Sequence, residues 1–202
     1  MAVVALVLYL VGVFVAFGLK SYFAWRRTGD TGFRRPQAAA FTGAWWGYRL
    51  FVLALLISLM APVLGVAGLW QIPVTVEVAG AGIVVMAVGL VFTLMSQTAM
   101  GTSWRIGVDS SETTDLVTSG VFGVVRNPVF TGMGVVLVGL VAVVPSPVAA
   151  LALVSYALAV QLQVRAVEEP YLLATHPEDY GRYAAQVGRF VPGLGRVTRV
   201  GG

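Results

Sequence analysis

Arg126, Arg165, Glu168 and Glu169 are the residues of this chain whose types and spacing can do chemistry. A guanidinium offers a planar fork to an anion, and adjacent carboxylates bind amines, hydroxyls or a positive charge. Arg126 precedes Asn127 and Pro128 at the start of one apolar run, and Glu168-Glu169 stand near the end of the next. The turn Pro145-Ser146-Pro147 makes those runs antiparallel, so the arginine and the carboxylate pair meet at one end and one depth. A fork for an anion beside carboxylates for a cation suits a reaction between an anionic substrate and a cationic cofactor. Gln161, Arg165, Glu168 and Leu172 follow at intervals of three and four, which marks one helical face pointing into this mouth, with Glu169 beside it. The plainer alternative pairs Arg165 with Glu169 at a water interface and leaves Arg126 anchored to lipid phosphate.

The elements that must hold these groups are membrane helices. Of the 202 residues 58% are hydrophobic and 11% charged, with a mean hydropathy of +0.86, which excludes a soluble domain. An arginine and two carboxylates are costly in such a setting, and that cost marks them as functional. A helix needs roughly 20 residues to cross the hydrocarbon core. The reading is an all-α integral membrane fold with five transmembrane helices, at residues 2–18, 46–69, 74–100, 128–144 and 147–174. The first is a retained helix, since no basic segment precedes it and no small-residue cleavage pattern follows. Pro62 is expected to kink the second, and Gly80, Gly82 and Gly89 to allow close packing of the third. A short cytoplasmic helix follows the fifth span, opened by a capping box at Thr175 and Glu178, carrying Tyr180 and Tyr183 on one side and stopped by Gly188. The chain is a single membrane domain, 1–202, with a cytoplasmic loop at 101–127 and a catalytic hairpin with its tail at 128–202.

Charge sets the orientation. All 13 lysines and arginines fall on the side of the loops at 20–35, 101–127 and the tail, and none in the two short opposite turns, so those loops are cytoplasmic and the amino terminus is outside. The net charge of +4 reflects this orientation and contact with anionic lipid, and basic residues spread over three loops do not form a nucleic-acid groove. Without cysteine there is no disulfide or thiolate chemistry, and one histidine, His176, cannot build a multi-histidine metal site, so no metal is expected. The Gly-x-Gly-x-x-Gly turn of soluble nucleotide-binding folds is absent too. Trp104, next to Arg105 in the polar loop, either dips into headgroups or lines a substrate pocket.

Two stretches carry a resemblance. Gly120-Val121-Phe122 followed by Arg126-Asn127-Pro128-Val129-Phe130-Thr131-Gly132 is similar to the Gly-x-Tyr-x-x-x-Arg-His-Pro-x-Tyr-x-Gly signature of the isoprenylcysteine carboxyl methyltransferase family. Glu168-Glu169-x-x-Leu172, Tyr180-x-x-Tyr183 and Arg189-x-x-Pro192 resemble that family's tail, so order and spacing agree over roughly the last hundred residues. The resemblance implies an integral membrane methyltransferase that moves the methyl group of S-adenosylmethionine to a lipophilic substrate entering from the bilayer. It implies cofactor contacts at Asn127, Phe130, Gly132, Glu168, Glu169 and Tyr180, and catalytic, substrate-facing roles for Arg126 and Arg189, with Trp104 joining the substrate side. The family histidine and tyrosine are replaced by Asn127 and Phe130, which keep a donor, an acceptor and a ring surface. A lipid carboxylate is the leading acceptor. The alternatives are a phospholipid or a small lipophilic amine or phenol as acceptor, a sterol-type NADPH-dependent reductase, or a non-catalytic membrane adaptor. The expected location is the plasma membrane of a prokaryote, with the site facing the cytoplasm.

Overall fold

A computed structural model of the chain describes residues 1–32, 39–70, 72–101 and 115–197. Six helices account for most of them: α1 (Ala2–Thr28), α2 (Gly43–Val66), α3 (Val76–Ala99), α4 (Pro128–Val143), α5 (Pro147–Thr175) and α6 (Pro177–Gln186). No strand occurs among the described residues, and the protein is an all-helical membrane protein. Helices α1, α2, α3 and α5 are long and apolar enough to cross a membrane. Helix α4 has 16 residues. At about 1.5 Å per residue it falls short of the roughly 30 Å of a hydrocarbon core. By length, then, four helices rather than five meet the requirement, and α4 is a shorter apolar rod packed along α3.

Each start is chemically marked. The Thr42, Thr75 and Ser146 hydroxyls accept from the backbone N–H groups of Trp45, Val78 and Ala149 at 3.3, 3.4 and 3.1 Å, satisfying donors that a helix start leaves open. Helix α1 runs ten residues past the expected stop at Gly18, which turns part of the predicted loop at 20–35 into helix; Gly29 ends it in the left-handed conformation (φ 74°). Lysine and arginine are good helix formers, and Arg26 and Arg27 in the last turn favour the helix dipole. Helix α2 continues through Pro62.

The tightest contact joins α3 to α4 through facing glycines. A Cβ on Gly82 would lie 2.9 Å from the Gly139 carbonyl, and one on Gly89 2.8 Å from that of Gly132, so only hydrogen fits. Gly80, expected to help, has open space around it. Helix α2 lies on α5 in the same manner, with Gly47 against the backbone of Gln163. Between these pairs sits the core of Tyr9, Ala54, Met86, Leu140, Tyr156 and Val160. The turns after α2 and α4 are tied together, Ile72 N–H donating to the Pro145 carbonyl at 3.0 Å. Both hairpin turns are therefore at one end, together with Glu77 in the first turn of α3, and the arginines and the Glu168-Glu169 pair gather at the other.

Candidate active site

Four pieces of chain converge at the charged end: the turn before α4, the end of α5, α6, and the tail at 188–197. A 3-10 turn, Gly120–Gly123, leads in, and Val125 makes a short parallel bridge with Gly188. Arg126 N–H donates to the Gly188 carbonyl at 2.8 Å and Asn127 N–H to that of Arg189 at 3.1 Å. The Asn127 side chain donates to the Arg189 carbonyl as well, at 3.1 Å, and Thr131, one turn on, donates to the Phe190 carbonyl at 2.8 Å. A Cβ on Gly188 would lie 2.2 Å from the Val191 carbonyl oxygen, so the tail can fold this closely only on glycine. As expected from Gly188 just beyond it, α6 ends at Gln186, with Val187 extended.

Inside this frame the charges are arranged unequally. Glu169 accepts from both arginines: Arg189 grips it with two bonds, Nε to Oε1 at 2.7 Å and Nη2 to Oε2 at 3.0 Å, and Arg126 Nη2 reaches Oε1 at 3.0 Å. Arg126 also donates to the Gly195 carbonyl at 2.9 Å and the Ala184 carbonyl at 3.4 Å. Its side chain is 1% exposed, and its Nε is buried with no hydrogen-bond partner among the described residues. The bond to Glu169 raises the Arg189 pKa above its usual value, against the lowering effect of burial. Glu168, by contrast, is half-buried and makes no hydrogen bond or ion pair with a described residue.

This asymmetry has a local cause that helical periodicity does not carry. Residues Val164–Glu168 form a π turn inside α5, which inserts one residue and rotates everything after it. Arg165 stays outside with Gln161, to which its Nε donates at 3.0 Å, while Glu169 turns inward. Neither the single face through 161, 165, 168 and 172 nor the Arg165–Glu169 pair is formed. The capping box is likewise absent: the Thr175 hydroxyl donates back to the Tyr171 carbonyl at 2.9 Å, and α6 starts after His176.

Tyr180 and Tyr183 do share a side of α6, with ring centroids 6.1 Å apart and both rings buried. The Arg126 guanidinium lies 5.9 Å from the Tyr180 ring centroid. Burial raises the Tyr180 phenol above its ordinary range, opposed by Arg126, and pushes the Tyr183 phenol up to about 12. Tyr183 donates to the Phe122 carbonyl at 2.6 Å. Phe130 stacks edge-on against Phe51, centroids 6.0 Å apart, and its carbonyl accepts from Tyr156 at 2.7 Å. Gly132 is buried in the α3–α4 seam, where a Cβ would meet the Thr93 hydroxyl at 2.4 Å. Trp104 lies outside the described residues. Sequence reasoning passed over Thr131, whose position one turn after Asn127 was a legible signal, and Tyr156, which with Ser155 interrupts an apolar run.

These groups fit a ligand that carries both charges. The Glu168 carboxylate, without a hydrogen-bond or ion-pair partner among the described residues, accepts a cation, and two guanidiniums sharing one carboxylate leave one positive charge for an anion. No cluster of His, Cys, Asp or Glu able to hold a metal ion occurs among the described residues.

A family model described as phospholipid methyltransferase matches residues 76–179, slightly more than half of the chain, spanning α3, the α4–α5 hairpin, Arg126, both glutamates and the start of α6. No curated protein matches the chain.

Proposed function

From the premise that this chain belongs to the phospholipid methyltransferase family, and is an integral membrane methyltransferase, we propose that it transfers a methyl group from S-adenosylmethionine to a lipid whose anionic group lies on Arg126 and Arg189. The observation that carries this reading is the sharing of Glu169 by both arginines while Glu168 beside them has no partner among the described residues. S-adenosylmethionine, when bound, supplies an electrophilic methyl on a sulfonium together with an amino group and a carboxylate. Glu168 holds the cationic part. Asn127, whose Nδ2 is committed to the Arg189 carbonyl, turns its Oδ1 toward the ligand's donors, and Tyr180 and Phe130 wall the mouth. Gly132 contributes from the seam, by fixing the depth of α4. Residues 101–127 cover the mouth, with Trp104 on the substrate side, and the hairpin and tail at 128–202 form the catalytic part.

In this reading Glu169 is a positioning residue: it fixes two guanidinium forks so that the acceptor's anion is held in one orientation. Methyl transfer is an in-line displacement, and alignment of this kind in a water-poor mouth contributes on the order of 7 kcal/mol. A carboxylate acceptor, ionised above a pKa of roughly 4, is already a nucleophile and releases no proton. A phospholipid places its phosphate on the arginines and presents an amine to the methyl. That amine must first lose its proton to solvent, because Glu168 is engaged by the cofactor's cationic part. The family match favours this second acceptor; the residue pattern around Arg126 and Arg189 favours the first. The mouth faces the cytoplasm of a prokaryotic cell, where the soluble cofactor is, and the lipid enters sideways.

The deciding experiment incubates detergent-purified protein with methyl-deuterated S-adenosylmethionine and, separately, phosphatidylethanolamine, a fatty acid and a prenylated cysteine, followed by mass spectrometry. A mass shift on one of the three identifies the acceptor. No labelled product with any of them, from protein that binds S-adenosylhomocysteine, overturns the acceptor class. Binding of NADPH in place of S-adenosylhomocysteine overturns the cofactor.

A further inference from the structure

Of the charged residues expected at the mouth on helical spacing, Arg165 alone lies elsewhere. The π turn leaves it on the outer side of α5, where it lines an open notch of about 420 Å³ together with Gln161, Leu162 and Ala166. The notch lies next to the start of α2: a Cβ on Gly43 would be 3.2 Å from that of Ala166, and one on Gly47 3.3 Å from that of Leu162. Gln161 Oε1 accepts from Arg165 Nε at 3.0 Å. That bond fixes the plane of the guanidinium and leaves both Nη groups without a partner among the described residues.

Depth decides what meets those groups. Arg165 follows Pro147, where α5 begins, by about 27 Å of helix, against a hydrocarbon core of roughly 30 Å. Trp45 and Trp46 stand between the two glycines beside the notch, with ring centroids 4.7 Å apart and Trp46 exposed, as aromatic residues do at the level of lipid headgroups. The guanidinium therefore reaches the phosphate layer at the charged end of the bundle, outside the mouth. Its planar fork takes two oxygens of one phosphate, and Leu162 and Ala166 offer apolar surface to the carbons beyond. No carboxylate among the described residues lines the notch, so an ammonium brought there finds no partner. We propose that the notch binds an anionic phospholipid, one whose headgroup carries a phosphate and no amine, as a lipid that is held and not methylated. Methyl transfer plays no part in this assignment, which stands whatever the acceptor and cofactor of the mouth are.

The test adds phosphatidylglycerol, phosphatidylethanolamine and phosphatidylcholine separately to the full-length protein in detergent and counts the lipid retained by native mass spectrometry. Because the mouth can hold lipid of its own, each lipid is read as the part lost in Arg165→Gln. Retention of phosphatidylglycerol is expected to fall by about tenfold or more, as for the loss of a charge-assisted hydrogen bond, and that of the other two to stay as it was. Arg49→Gln is the control, since that guanidinium stands at the same end, 4.1 Å from the Trp45 ring centroid, and its loss should leave retention unchanged. An equal fall in Arg49→Gln would trace the effect to the basic face as a whole and overturn the proposal. An equal fall for phosphatidylethanolamine overturns it too, as does unchanged phosphatidylglycerol retention in folded Arg165→Gln. Inorganic phosphate should not displace the lipid; displacement would make the notch a site for a free anion and overturn the lipid assignment. Should Arg165→Gln not fold, Gln161→Leu at its exposed position releases the guanidinium from its orienting bond and should lower phosphatidylglycerol retention in its place. Unchanged retention in that variant would then overturn the proposal.

Discussion

Glu168 and Glu169 are neighbours with opposite circumstances. Glu169 is 13% exposed and neutralised by two arginines, so Glu169→Gln leaves two guanidiniums facing each other without a counterion. Breaking a buried pair in this way costs about 3 to 5 kcal/mol. The expected result is release of the tail at 188–197, read as faster tryptic cleavage there, together with loss of S-adenosylhomocysteine binding. Glu168→Gln removes a carboxylate that no described residue uses, so the fold should hold while cofactor affinity falls. A charge-assisted hydrogen bond of roughly 1.5 to 3 kcal/mol corresponds to about a tenfold or greater rise in Kd by calorimetry. Equal behaviour of the two variants would contradict the division of labour. Arg126→Lys keeps the charge but cannot span Glu169, Ala184 and Gly195 together. Turnover is expected to fall on the order of a hundredfold through misplacement of the acceptor, with cofactor affinity largely kept; near-normal turnover would mean that Arg126 serves only as an anchor.

Helix α6 is too short to be stable alone and is held by its buried face of Tyr180, Tyr183 and Ala184 against Leu116, Leu172 and Val187. The Tyr183 phenol is held neutral in the folded protein, its pKa raised from 10.0 to about 12. An acid with a raised folded pKa contributes stability that is complete below its unfolded pKa and is lost as pH climbs through the folded one. Docking of α6 should thus be pH-independent up to about 10 and fail as pH approaches about 12. Tyrosinate absorbance and limited proteolysis measured together check this, and in Tyr183→Phe the remaining alkaline step should be smaller. A proteolytic transition below pH 9 would show that some other group controls the docking. Helix α5 teaches a different lesson. Its apolar character and its end were legible, but its π turn was not, because local composition does not distinguish i→i+4 from i→i+5 bonding when both keep the backbone paired.

The bundle is oriented by its charges and assembled by its glycines. With no native cysteine, single cysteines at Ile72 and Ser119 report the two ends cleanly. In intact cells an impermeant maleimide should label Ile72→Cys and spare Ser119→Cys until the membrane is opened; the reverse pattern would place the mouth outside, away from the cytoplasmic cofactor. The ties between Ile72 and Pro145 at one end, and between Arg126 and the tail at the other, make both ends closed units.

Composition alone determined that this chain lives in a bilayer, because too few polar groups are available to cover a soluble fold, and the spacing of Arg126 and the Glu168-Glu169 pair along an antiparallel hairpin determined that opposite charges meet at one mouth. The short rod of α4, the extension of α1 to Thr28 and the inward turn of Glu169 were decided only by tertiary structure. Helix length and rotation in a membrane bundle follow from what packs on each face. Gly82 and Gly89 draw α4 onto α3 whatever its length, and two arginines from distant segments draw Glu169 out of its periodic face. A sequence pattern records which residues are neighbours along one helix, whereas a carboxylate goes to whichever guanidinium the folded chain brings within reach.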